Sequence, residues 1–155
     1  MEKSRQWLGC FNKRAIGLLI LLASLALNLI SCEAQDNKLD ATSWKLESYL
    51  ASSGERVDGL FDSAVTLYFQ ALNVSGSAGC NNYTAACQAD NKSLSFGPAA
   101  ATRKMCVEPA GIMEQENDFL AALGNVTQFN INGDILTLMD KQGDTIISLL
   151  RITAQ

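Results

Sequence analysis

The run from Ala15 to Cys32 contains no charged residue, and it decides how much of this 155-residue chain is free to fold as a domain. Ahead of it, residues 1–14 carry Lys3, Arg5, Lys13 and Arg14 against the single acid Glu2. A basic stretch followed by an apolar one is how an export leader is organised. Four of the 12 basic residues and one of the 16 acidic residues precede Cys32, leaving 8 against 15 and a formal balance of −7 beyond it. Phosphate backbones repel such a surface, so a nucleic acid partner is not expected.

The apolar run closes on Leu29, Ile30, Ser31 and Cys32, which resembles the lipobox of bacterial lipoproteins. Small residues before the cut fit a narrow peptidase pocket, and the cysteine thiolate takes the diacylglyceryl group. Cys32 is therefore the expected lipidation site. Residues 1–31 read as a lipoprotein signal peptide, residues 32–40 as the lipidated amino terminus and a short polar tether, and residues 41–155 as the folded domain. Two alternatives stay open: 18 uncharged residues are at the lower edge of a membrane span, or an ordinary leader ends beside a coincidental cysteine. All three readings export the domain. Glu33 after the cysteine resembles the outer-membrane sorting pattern of enteric lipoproteins. The expected location is the bacterial cell envelope, lipid-anchored and facing the periplasm, at the outer rather than the inner membrane.

Beyond the tether, Trp44, Leu46, Ser48 and Leu50 alternate with Lys45, Glu47 and Tyr49, the period of a half-buried strand. Val65, Leu67 and Phe69 repeat the pattern, and Leu94 and Phe96 mark a short strand ending at Gly97-Pro98. Between Leu72 and Ala89, Gly76 and Gly79 suggest bulges or close backbone approach in a strand pair. One helix is predicted from near Pro109, suited to a first helical turn, to just before Gly124. Ile112, Met113, Phe119, Leu120 and Leu123 give it an apolar face that Glu116 interrupts. Glu114, Glu116 and Asp118 read as a solvated, dipole-matched face in preference to a catalytic pair. Asn132-Gly133 predicts a hairpin, and the apolar stretch from Thr145 to Ile152 a strand buried on both faces. The fold class is α+β, a mainly antiparallel sheet that can close toward a barrel, with one packed helix.

Several of these motifs occur together in a known family. Trp44, Gly79-Cys80-Asn81 with Tyr83, Leu94 to Pro98, Thr102 to Cys106, and Met113 to Glu116 leading to Phe119, Leu120 and Leu123 resemble the META domain, or HslJ-like, family. The resemblance spans nearly all of residues 42–152. It implies an α+β fold, an envelope location and a role in stress response or antibiotic tolerance, and it implies no catalytic mechanism. Where family members often carry an aromatic shortly after Gly-Cys-Asn, this chain has Cys87.

Of the five cysteines, Cys10 falls in the leader and Cys32 at its end, leaving Cys80, Cys87 and Cys106 in an oxidising compartment. Cys80 and Cys106 both stand in family motifs, and closing their loop of about 27 residues is worth about 3.5 kcal/mol in the chain-entropy model. Cys80 and Cys87 point to opposite faces if they share one strand, though a turn between them removes that objection. The chain has no histidine, which removes Ser-His and Cys-His catalysis and the usual imidazole of transition-metal sites. No catalytic residue, metal or cofactor is expected. Arg103, Asn81 and Tyr83 are the candidate binding residues, with Arg103 placed to hold a carboxylate or phosphate; the competing reading pairs Arg103 with Glu108 to fix the loop. The expected function is a non-enzymatic envelope lipoprotein, joined to the membrane by its lipid, that binds an envelope protein or apolar ligand. The alternatives are a pilot or chaperone for secreted polypeptides and a thiol-dependent enzyme using Cys87.

Overall fold

The computed structural model describes residues 38–152. The expected leader, Cys32 and the tether as far as residue 37 lie outside the described residues. The domain contains β1 (Ser43–Leu50), β2 (Arg56–Asp58), β3 (Thr66–Gln70), β4 (Asn73–Ser77), β5 (Asn82–Asp90), β6 (Ser93–Phe96) and β7 (Ala100–Ala101). The helix α1 (Ile112–Gly124) follows, then β8 (Gln128–Asn132), β9 (Ile135–Met139) and β10 (Thr145–Arg151).

Strands β1, β3, β4, β5, β6, β8, β9 and β10 are hydrogen-bonded in that order, and β10 pairs back onto β1 to close the ring. Every pairing is antiparallel; β2 pairs with the end of β1 that β3 leaves uncovered, and β7 lies along β5. The helix packs against β1, β10 and β6. Because β6 lies across the ring from β1, a helix touching both must cross the barrel's mouth. Among the described residues the expected antiparallel sheet and single helix are therefore present, but the α+β label is loose for a closed eight-stranded barrel capped by a helix.

A ring of eight strands leaves an interior just wide enough for side chains. Trp44, Leu67, Leu136, Leu138, Ile147 and Leu149 from the strands and Phe119 and Leu123 from the helix fill it, all fully buried. Alternation holds in β3, where Leu67 and Phe69, like Val65 just before the strand, are buried. It fails in β1. A register shift between Leu46 and Ser48 inserts a bulge, so Ser48 and Tyr49 are both buried and Leu50 is only half-buried.

Two further expectations move by one or a few residues. Pro109 is outside α1: its carbonyl accepts from the Ile112 amide at 3.1 Å, and Gly111, at φ +85°, caps the helix. The β8–β9 hairpin forms, but Asn132 pairs with Ile135, so the turn residues are Gly133, at φ +60°, and Asp134. Positive φ at the first of two turn residues suits glycine and matches the twist of the flanking strands. Gly76 serves close approach, since a Cβ there would stand 1.9 Å from the Thr66 carbonyl oxygen on β3.

Candidate functional site

The β4–β5 turn gathers most of the motif residues. Gly79 takes φ +121° between the strands, and a Cβ there would meet Ser63 Oγ at 2.8 Å. Cys80 follows and is joined to Cys106 as a disulfide, with Cα atoms 5.9 Å apart.

Asn81 is the next residue, 2% exposed. Its Nδ2 donates to Glu116 Oε1 at 2.7 Å and to the Lys104 carbonyl at 3.1 Å. Its Oδ1 accepts from Thr102 Oγ1 at 2.8 Å and from the Lys104 amide at 2.6 Å. Two donors and two acceptors exhaust an asparagine side chain. The Asn81 amide donates to Glu116 Oε2 at 2.7 Å, so one carboxylate receives both a main-chain and a side-chain N–H. Asn81 thus fastens α1 to the segment 102–104, and no polar atom of it is left to bind a ligand.

Glu116 is 5% exposed, which corrects its assignment to a solvated helix face. The sequence did carry a signal: Glu116 lies four residues after Ile112 and three before Phe119, inside the apolar face it interrupts. Gln115, which the sequence offered only as part of the helix motif Met113 to Glu116, performs a parallel task. Its Oε1 accepts from the Leu60 amide at 2.7 Å, and its Nε2 donates to Ser63 Oγ at 2.9 Å.

Tyr83 belongs to the core. It is 3% exposed, stands edge-on to Phe119 with ring centroids 5.8 Å apart, and donates its hydroxyl to the Thr66 carbonyl at 3.1 Å. Burial holds its phenol far above the ordinary tyrosine value. Arg103 is exposed, and among the described residues the one ion pair joins Arg151 to Asp134 at 3.7 Å, so the Arg103–Glu108 pair is not formed. The structure therefore brings Asn81 and Tyr83 together as interior supports and leaves Arg103 outside.

Cys87 is buried, and its thiol is pushed up first by burial and then by the Asp40 charge. Among the described residues no buried side-chain polar atom lacks a partner, and no cluster of three or more acidic or cysteine side chains could hold a metal.

Two features do face solvent. The segment after β7 presents Met105, 82% exposed, between anchors at Lys104 and Cys106, and Val107, 81% exposed, just past the second anchor. Phe61, 98% exposed, stands on the neighbouring loop that Gln115 holds. Separately, a cleft of about 590 Å³ runs beside the C-terminal half of α1, floored by Leu50, Ala51, Ala121, Ala122 and Ile146.

These features define a class: a small antiparallel barrel whose interior is packed, whose mouth is closed by one helix, and whose exposed loop is fixed by a disulfide. The chain belongs to the META domain family, which matches residues 37–151. It is similar in fold to a protein from Burkholderia xenovorans solved by NMR, with TM-score 0.61 and 24% identity over 99% of this chain and 97% of that one. It is also similar to a DUF4847 family protein from Bacteroides vulgatus ATCC 8482, with TM-score 0.52 and 16% identity over 76% of this chain and 97% of that one. No curated protein matches it significantly.

Proposed function

We propose that this chain is a non-enzymatic envelope lipoprotein, anchored through Cys32, whose barrel supports a protein-binding loop used in envelope or stress tolerance. The observation that carries this reading is the pair Met105 and Val107, exposed apolar side chains on either side of the disulfide-anchored Cys106 and next to the fixed Lys104. Exposed apolar side chains gain by burial against a partner, and a loop already held in one conformation loses little entropy on binding. Arg103 adds a directional cation beside them. The packed interior supports a protein partner over an apolar ligand inside the barrel. The raised pKa of the buried Cys87 thiol disfavours the thiol enzyme.

The cleft beside α1 favours a second reading, a pilot or chaperone, because its apolar floor could take a short segment of a secreted chain. One experiment separates the two. A photo-crosslinking residue is placed in the full-length protein at Met105, at Ala121 in the cleft, or at the exposed Asn130 of β8 as a control. A discrete adduct with one envelope protein from Met105, lost on adding Val107→Asp, is expected. Adducts with many polypeptides from Ala121 alone would establish the pilot instead. Turnover of a small substrate that one side-chain change abolishes would overturn both.

A further inference from the structure

The outer wall of the barrel is not uniform. On β5, β6 and β8 the outward residues are mostly polar, as at Thr84, Gln88, Ser95 and Asn130, with the small Ala86 the exception on β5. On β9, β10, β1 and β3 they include Ile135, Leu150, Ile152 just past β10, and Tyr68, each about two-fifths exposed at 41%, 44%, 43% and 39%. Register makes these four neighbours. Ile135 pairs with Leu150, Leu150 pairs with Lys45, the Ile152 amide donates to the Ser43 carbonyl at 2.8 Å, and Ser43 pairs with Tyr68. Directly opposed side chains on an antiparallel sheet are about 5 Å apart, so these positions form two adjacent rows on one surface. Leu72, 69% exposed on the β3–β4 turn, extends the surface at the same end of the barrel.

The chain enters the domain at that end. The amide of Ala71, next to Leu72, donates to Asp40 Oδ1 at 2.6 Å, so the start of the described chain is tied to this turn. Five residues separate Cys32 from Lys38, and the chain can span at most about 20 Å between them. We infer that the outer face of β9, β10, β1 and β3 lies against the bilayer that holds the lipid anchor, an inference that rests on the lipoprotein reading above. Aliphatic side chains enter the edge of the acyl region, the Tyr68 ring sits at headgroup level, and Lys45 extends its ammonium to the phosphates. The domain is acidic, so the attraction is apolar and does not require anionic lipid. The loop of Met105 and Val107 is at the opposite end, since it follows β7 beside the start of β5, and the contact leaves it free.

The test uses the mature acylated protein in phosphatidylcholine vesicles whose acyl chains carry bromine, a short-range quencher of tryptophan. Tyr68→Trp and Ile152→Trp place probes on the face, Gln88→Trp places one on the far wall, and each is read against the parent, whose Trp44 is buried. We expect blue-shifted emission and loss of intensity for Tyr68→Trp and Ile152→Trp, with neither for Gln88→Trp. The double change Ile135→Glu and Leu150→Glu should abolish the difference while the lipid mass remains. Equal quenching at all three positions in a protein that carries its lipid overturns the docking face alone. A mature mass without the lipid removes the lipoprotein reading, and this inference with it.

Discussion

Asn81 and Glu116 show what one buried polar pair does for this barrel. The carboxylate has lost nearly all its water and receives two N–H groups in exchange, one of them from the Asn81 side chain. Asn81→Ala removes that donor and also leaves Thr102 Oγ1 and the Lys104 amide without their acceptor. A buried hydrogen bond to a charged group is worth about 1.5–3 kcal/mol and the orphaned groups add to the loss, so Asn81→Ala should destabilise by about 3 kcal/mol in urea unfolding. Tyr83 has a different signature. Its phenol stays protonated when folded well above the value near 10 at which an unfolded tyrosine ionises, so below pH 10 it takes nothing from stability. Above pH 10 the unfolded state releases a proton that the folded state keeps, and stability falls by about 1.4 kcal/mol per pH unit for this group. Tyr83→Phe should flatten that alkaline slope while costing about 1 kcal/mol at neutral pH for the lost bond to Thr66. Urea titrations of both proteins between pH 7 and an alkaline limit set by reversibility check it; equal slopes would show that Tyr83 is not the group responsible.

Elements were legible in this sequence where one local rule acted alone. In β3 nothing interferes with alternation, and the inward residues are those its period predicts. β1 began the same way, yet its bulge turned Tyr49 inward, because the strand must serve β10 on one edge and both β3 and β2 on the other. The helix was readable as a helix, and the place of Glu116 within its apolar face was a sign of burial, but the partner that satisfies the carboxylate lies 35 residues away and no local pattern announces that partner. The inward placing of Asn81 and Tyr83 was hidden for the same reason: the motif at Gly79 to Tyr83 marks a structural joint, and a polar residue in a motif looks alike whether it faces a ligand or the interior. Gly76 was suspected of close approach without its partner being visible. It sits on β4 where a Cβ would overlap the Thr66 carbonyl, and both are backbone positions of a barrel wall. Gly76→Ala must push β4 from β3, and overpacking of this kind costs about 1–3 kcal/mol. The upper part of that range is expected, read as a lower thermal midpoint together with amide shifts confined to β3 and β4; a midpoint unchanged from the parent would mean the wall moves freely.

At the scale of the molecule, the closure of β10 onto β1 decides whether there is a domain at all. These strands lie at opposite ends of the described chain, with Trp44 facing Arg151, and no periodicity within either reveals that they meet. That is why the sequence supported an antiparallel sheet and could only leave a barrel open as a possibility. β10 pairs with β9 as well, and it supplies Ile146, Ile147 and Leu149 to the interior. Arg151 lies over Trp44, 4.2 Å from the ring centroid, at the tether end. Ending the chain at Asp144 removes three buried aliphatic side chains, each worth about 1.5–3 kcal/mol, and strips two strands of their hydrogen-bonding partner. The loss is comparable with the whole stability of an ordinary domain, about 5–15 kcal/mol, so no native barrel should remain. The shortened protein should show collapsed amide dispersion in NMR and should aggregate through the bared edges of β1 and β9. A monomer that keeps dispersed amides in β3, β4 and β5 would instead show that the sheet can stand open, and closure would then be a refinement of the META fold in this chain and not its foundation.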